Sequence, residues 1–257
     1  SLANPDCAFA PGGDYPSLID AIGIMTDELL ANTDASGFFY YTGPPGGSTL
    51  NQDSSATQFG VAGISSAKAV YSNPAYPDPA RLAAINTALT NSKNGYETYA
   101  ATGSNNGACS VIDPFERGHG YRSTASYPPS LQQTASGAWV QILGGSDINT
   151  PMVQAYLRWL RNHYRWQDLD NLRNFWSQTY WYFLWSSFKF TEFLEQAGIA
   201  PAAGNIGPDA LGTLDTAAGV DATTGAYAAC DVRQLNKDPA TIPQPVAFGG
   251  APAGVYT

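Results

Sequence analysis

Apolar residues recur along this chain mainly at the three- and four-residue steps of an amphipathic helix. From Tyr15 to Ala31, Leu18, Ile22, Met25 and Leu29 keep that spacing, and Pro16 suits a first helical turn. Thr57 to Tyr71 repeats it, with Phe59, Val61, Ile64 and Ala67 set among small residues. A break from Ser72 to Asp78 holds two prolines, after which Pro79 to Ser92 brings Leu82, Ile85 and Leu89 onto one face. A pair of segments follows. Pro129 to Leu143 is rich in small residues around Trp139, Val140 and Leu143. Met152 to Tyr164 is amphipathic, with Thr150 placed as N-cap and Pro151 in its first turn. The last segment, Ser177 to Gln196, is the most apolar. Its first half is aromatic nearly all round, which predicts burial on most sides, and Gly198 supplies a stop.

Strand signals are weak by comparison. Gly-, Asn- and Pro-rich loops separate the helices, notably Thr42 to Ser54 and Thr102 to Ser110. From Ala200 onward the periodicity fades into Gly, Ala, Pro and Thr, which predicts extended chain lying over the surface or reaching into a neighbour. The expected organisation is therefore an N-terminal arm over 1–14, a domain of stacked helical hairpins over 15–197 and a C-terminal extension over 198–257.

Composition narrows the setting. The 257 residues are 44% hydrophobic and 12% aromatic, enough for a sizeable core. Only 13% are charged, about half the roughly 25% usual in globular domains, so Ser, Thr, Asn, Gln and Tyr must supply the polar surface. That balance suits a protein outside the cell, secreted, periplasmic or on the cell surface. A net charge of -9 argues against nucleic acid and against an anionic membrane surface. No apolar run approaches the roughly 18 residues of a spanning helix. The start at Ser1, without a charged and then apolar leader, suits a processed chain.

Cysteine is sparse: Cys7, Cys109 and Cys230, none in a C-x-x-C pair, which removes zinc ribbons, thioredoxin chemistry and c-type haem attachment. For an exported chain, one disulfide and one leftover thiol is the simplest arithmetic. We favour Cys109–Cys230, pinning a polar loop to the C-terminal tail; three unpaired cysteines remain the alternative.

Three local patterns, in order, resemble the helical repeats of the squalene-cyclase and protein-prenyltransferase β-subunit group. Ser55-Ala56-Thr57-Gln58-Phe59-Gly60-Val61-Ala62-Gly63-Ile64 resembles the start of an inner helix in those repeats. Gly118-His119-Gly120-Tyr121-Arg122 is similar to the glycine-aromatic turn before the next inner helix, and Gln133 to Trp139 follows it as that helix. Tyr180 to Ser187 is similar to a third. The resemblance covers about residues 15 to 197 and implies an all-α chain built as a partial α/α toroid of stacked hairpins, with a concave, aromatic-lined end. Small residues on an inner helix suit this, because they let helices converge on a narrow axis. The family's chemistry is missing. Terpene cyclases carry an Asp-x-Asp-Asp acid, where this chain has only Asp168-Leu169-Asp170-Asn171. Prenyltransferase subunits hold zinc through Asp, Cys and His, yet neither His119 nor His163 has a nearby cysteine.

Each candidate carries two readings. Asp168 and Asp170 could share a proton as an acid pair, or simply line a capping loop, which we favour. His119, between two glycines, could be a base oriented by Glu116 or Asp113, or a hydrogen-bonded structural histidine in a turn. All six tryptophans fall between Trp139 and Trp185. Trp139, Trp159 and Trp185 read as core, whereas Trp166 and Trp176, in polar surroundings, read as exposed binders. Tyr121, Arg122 and Trp181 complete the candidate binding residues, for a glycan or an isoprenoid. No Ser/His/Asp motif, phosphate-binding loop or calcium loop appears, so no cofactor or metal is expected. The expected function is a non-catalytic binding or assembly module that self-associates or meets another extracellular protein. The rival is an extracellular enzyme, lyase-, hydrolase- or terpene-cyclase-like, with Tyr121, Arg122, His119 and Asp168 converging in the concave end.

Overall fold

A computed structural model describes residues 17–40, 52–100, 115–122, 129–163 and 180–210. Those residues form six α-helices and one short 3-10 turn, with no strand among them, so the described part of the chain is all-α as the periodicity predicts. In order the helices are α1 (Leu18–Ala31), α2 (Ser54–Tyr71), α3 (Pro79–Thr98), α4 (Leu131–Leu143), α5 (Pro151–His163) and α6 (Tyr180–Ala197). Two compact units meet in sequence between Gly95 and Tyr96, so the last turn of α3 belongs to the second. No helix among the described residues is long and apolar enough to cross a membrane.

In the first unit, α1 packs against α2. Ser17 caps α1 through the Asp20 amide. Asp53 caps α2 by accepting from the amides of Ser55 at 2.8 Å and Ala56 at 3.0 Å, which starts the helix three residues before its periodicity does. The buried stripe of α2 runs through Ser54, Thr57, Val61, Ile64, Ala67 and Tyr71. Two sequence expectations fail here. Met25 is 61% exposed and Phe59 52% exposed. The buried positions of α1 are instead Ala21, Gly23 and Thr26, small residues that let a neighbouring helix approach closely, so the bulky side chains turn outward.

The link from α1 to α2 is organised by one carboxylate. Asp34 Oδ1 accepts from the Ser36 amide at 2.9 Å, the Ser36 hydroxyl at 2.5 Å and the Phe38 amide at 3.3 Å. Its Oδ2 accepts from the Tyr40 hydroxyl at 2.8 Å and from the Gln52 side-chain amide. Burial pushes the Asp34 carboxyl up, but the hydrogen bonds from Ser36, Tyr40, Gln52 and Phe38 together outweigh it and hold the group below its ordinary value. The folded loop then lies flat on α3. The carbonyl of Gly37, at φ +82°, accepts from the Ser92 hydroxyl at 2.6 Å, and a Cβ on Gly37 would stand 2.2 Å from the Asn91 carbonyl.

In the second unit α4 is the centre, packed against α5 and α6. Every residue from Leu131 to Gln141 is buried, and five of them are Gln132, Gln133, Thr134, Ser136 and Gln141. A helix this polar can be enclosed only if its side chains find partners. Ser130 caps it through the Gln133 amide, Ser136 bonds back to the Gln132 carbonyl at 2.9 Å, and its hydroxyl meets that of Tyr182 at 3.2 Å. Trp139 meets Trp185 edge-on, with centroids 5.2 Å apart. A Cβ at Gly137 would press on the Tyr96 and Tyr156 rings at 3.0 to 3.2 Å, so the smallest side chain sets that packing distance.

Helix α6 departs from the expected all-round burial. Ser186, Ser187, Phe190, Thr191 and Leu194 form its buried face, while Phe188 and Phe193 are exposed. The serines leave room for α4 to approach, and the large rings lie off that seam. The helix stops at Gly198, φ +63°. The chain beyond it is clamped onto the second unit by polar side chains. Asn149 accepts from the Ala202 amide at 2.7 Å and donates to the Ala200 carbonyl at 3.1 Å. Gln154 does the same to Ile206, with both bonds at 2.9 Å.

The loop on α3 makes a direct prediction. Gly37→Ala should lower the stability measured by urea unfolding by about 2–4 kcal/mol, combining a positive φ with a collision against backbone. Gly145→Ala should cost only about 1 kcal/mol, since Gly145 has φ +92° but nothing within 4 Å of its Cβ position. Equal losses in the two variants would contradict the loop packing.

Candidate functional site

Two places among the described residues gather chemistry. The first surrounds His119 in the second unit. The strip from Phe115 to Arg122 is tied across α5 and α4 by backbone bonds. The Arg117 amide donates to the Ala155 carbonyl at 3.1 Å, and the Ser130 amide donates to the His119 carbonyl at 3.1 Å. The His119 amide donates to the Thr134 hydroxyl at 3.0 Å. The imidazole is fully buried, its centroid 4.3 Å from that of Tyr96. Its Nδ1 lies 2.7 Å from the Gly120 carbonyl. A carbonyl can only accept, so Nδ1 carries the proton of the neutral ring and Nε2 presents a lone pair. Burial lowers the His119 pKa to about 4, opposed by the Gly120 bond, so the ring is uncharged at neutral pH. Tyr156, also buried, donates to the Tyr96 carbonyl at 2.9 Å, and burial raises its pKa well above the ordinary value.

The other sequence candidates fall around this strip or off it. Tyr121 and Arg122 lie half-buried at its end, and Glu116, the suggested orienting group, is buried near its start. Asp113, Asp168, Asp170, Trp166, Trp176, Cys109 and Cys230 lie outside the described residues. So do the side chains of Trp181 and His163, although both residues stand in helices. Trp139 and Trp159 are buried and Trp185 is half-buried. Among the described residues no group of three His, Cys, Asp or Glu side chains could hold a metal ion.

The second place lies in the first unit and was not singled out by the sequence. A cavity of about 360 Å³ is lined by Ile19, Asp20, Gly23 and Ile24 of α1, by Tyr71 at the end of α2, and by Tyr76, Pro77, Asp78 and Arg81. Arg81 organises it. Its Nε and Nη2 donate to the two Asp27 oxygens at 2.9 and 2.7 Å, and its Nη1 donates to Asp78 at 2.6 Å. The guanidinium also lies over the Tyr71 ring, 5.2 Å from its centroid. The Asp27 bond raises the Arg81 pKa, and the same pair lowers that of Asp27. Asp78 holds the entry to α3 by accepting from the Arg81 amide at 2.9 Å. The signal for this cluster was present as Asp78-x-x-Arg81 at the start of a predicted helix, but its other half, Asp27, lies far away in sequence.

The protonation of His119 sets a pH dependence with a definite sign. The unfolded chain takes up a proton near 6.5, whereas the folded one resists until about 4, so acid favours unfolding across that window. Stability should fall by on the order of 3 kcal/mol from the neutral side of this window to its acid end. His119→Phe keeps a ring beside Tyr96 and removes the titration. Urea midpoints of that variant should show a clearly smaller acid-induced loss; parallel curves would rule out a depressed His119.

No protein-family model matches the chain, and no curated protein or solved structure matches it either. The functional reading therefore rests on these residues and their geometry.

Proposed function

We propose that the chain is an exported, non-catalytic binding and assembly module on a partial α/α-toroid scaffold. The scaffold reading is supported by α4, an enclosed helix of small and polar residues flanked by α5 and α6, as an inner helix of stacked hairpins would be. Export is supported by the low charge and the reliance on Ser, Thr, Asn and Gln for polar contacts. The non-catalytic reading is supported by His119, which is neutral, enclosed and engaged with backbone.

One observation carries the assembly reading. Large apolar side chains stand on the outside of both units: Ile24, Met25 and Phe59 in the first, and Phe115, Phe188, Phe193 and Ile199 in the second. Single exposed apolar residues are ordinary, but several phenylalanines on a chain this poor in charge favour contact with another apolar surface. A second copy offers that surface at no extra genetic cost, and hairpin stacks with open ends tend to pair or cap them.

Light scattering at micromolar concentration should give a mass above that of the 27.2 kDa chain. The double variant F188S/F193S should shift the distribution toward monomer, by about tenfold or more in dissociation constant, because each ring contributes on the order of 1–3 kcal/mol of burial. A wild-type chain that stays monomeric at every concentration would count against assembly.

A further inference from the structure

The cavity beside Arg81 holds a combination of groups that internal structure does not exhaust. Arg81 has five N–H bonds, of which three go to Asp27 and Asp78. Two remain for the Tyr71 hydroxyl beside it and for whatever enters the cavity. Tyr71 is 5% exposed, and its buried hydroxyl has no hydrogen-bond partner of good geometry. A methyl group on Gly23 would stand 3.4 Å from both Arg81 Nη2 and the Tyr71 hydroxyl, so the bare glycine keeps the cavity wall thin in front of those two groups. Burial holds the Tyr71 phenol above its ordinary pKa, so it remains a donor. Around these polar groups stand Tyr76, Pro77, Ile19 and Ile24, which give the wall an apolar part.

That inventory selects among ligand classes. An anion would meet the carboxylates of Asp20 and Asp78 against one guanidinium already paired with Asp27 and Asp78. A cation would find Asp27 and Asp78 already engaged by Arg81 and Asp20 bonded by the Ser17 hydroxyl, with the guanidinium occupying the Tyr71 face. A purely apolar ligand would bury unsatisfied N–H and O–H groups, which costs free energy. What remains is a neutral molecule with hydroxyls that both donate and accept and with a C–H face to lie on an aromatic or prolyl wall. A volume of about 360 Å³ is at the lower end of small-molecule sites, roughly 300–1,000 Å³.

We infer that this cavity is a binding site for a neutral sugar ring, with Tyr71, Arg81 and Asp78 pairing its hydroxyls and Tyr76 and Pro77 receiving its C–H face. The inference rests on the reading of the chain as a binding module and gives that module a ligand class. It is independent of the tryptophans that the sequence offered as glycan binders.

Titration of the ¹⁵N-labelled full chain with methyl glycosides of glucose, mannose, galactose and N-acetylglucosamine tests it, with inorganic phosphate and tetramethylammonium as charged comparators. At least one neutral glycoside should give saturable amide shifts centred on Gly23, Ile24, Tyr76 and Arg81. Tyr71→Phe, which keeps the buried ring, should weaken that affinity about fivefold. Tyr76→Ala should weaken it about tenfold. The site is overturned if none of the glycosides shifts these amides, if phosphate or tetramethylammonium shifts them instead, or if both variants bind as the wild type does. A chain that self-associates yet shows no such shifts loses the sugar site and keeps the assembly reading.

Discussion

The constraint on which this structure depends is that polar groups taken out of water must find partners, in a chain with few charges to spend. Thr134, Gln132, Ser136, Ser92 and Thr57 are all enclosed, as is the carboxylate of Asp53. Each such group left unpaired would cost roughly 1–3 kcal/mol, comparable with a sizeable part of a domain's net stability. The chain meets the constraint locally. Asp34 gathers five donors and folds the α1–α2 link, while Asp53 starts α2 and bonds Ser55. The Thr57 hydroxyl accepts from the Phe39 amide and donates to the Asp53 carbonyl, joining the link to the helix it precedes. In the second unit Thr134 anchors the strip bearing His119, and Asn149 and Gln154 hold the chain that leaves α6. Removing one such partner therefore strands several others, and that makes the positions unequal.

The helices were legible because their signal is local. Spacing marked all six, and Gly198 marked a stop. Which face is buried proved less legible, since it depends on what approaches. On α1 the large residues Ile22, Met25 and Leu29 suggest an apolar stripe, yet close packing favours Ala21, Gly23 and Thr26. On α6 the same preference buries two serines and exposes Phe188. Helix α3 runs past Ser92 through Gly95, a residue that usually weakens a helix. The Ser36 carbonyl occupies the space a Cβ there would need, 2.0 Å away, so a tertiary contact sets the choice that propensity opposes.

The candidate sites divide on the same ground. His119 could be read from its glycine neighbours as a turn histidine, but its neutrality depends on complete burial, which spacing cannot supply. The Arg81 cavity was invisible because it is assembled from the end of α2, the start of α3 and one side of α1. Tyr71 closes α2, Asp78 opens α3 and Asp27 projects from α1; no window of sequence contains all three. Its chemistry depends on the bidentate Asp27 pair, which fixes the guanidinium so that the donors it keeps have definite directions.

These two sites also differ in what they can contribute. The His119 ring is sealed among backbone and aromatic partners, so its titration reports on folding. Arg81 is about one-quarter exposed, with its charge compensated and its geometry set before any ligand arrives. Preorganisation of that kind favours binding, because the ordering entropy is already spent in folding. It also disfavours acid–base chemistry, since the Asp27 pair holds the guanidinium firmly protonated and its carboxylate partner firmly ionised. Arg81, Asp27, His119, Tyr71 and Tyr156 are thus held in single protonation states across neutral pH, while hydroxyls, amides and aromatic faces remain available for contact. A surface of that composition suits recognition by shape and hydrogen-bonding pattern, which supports the proposed binding module.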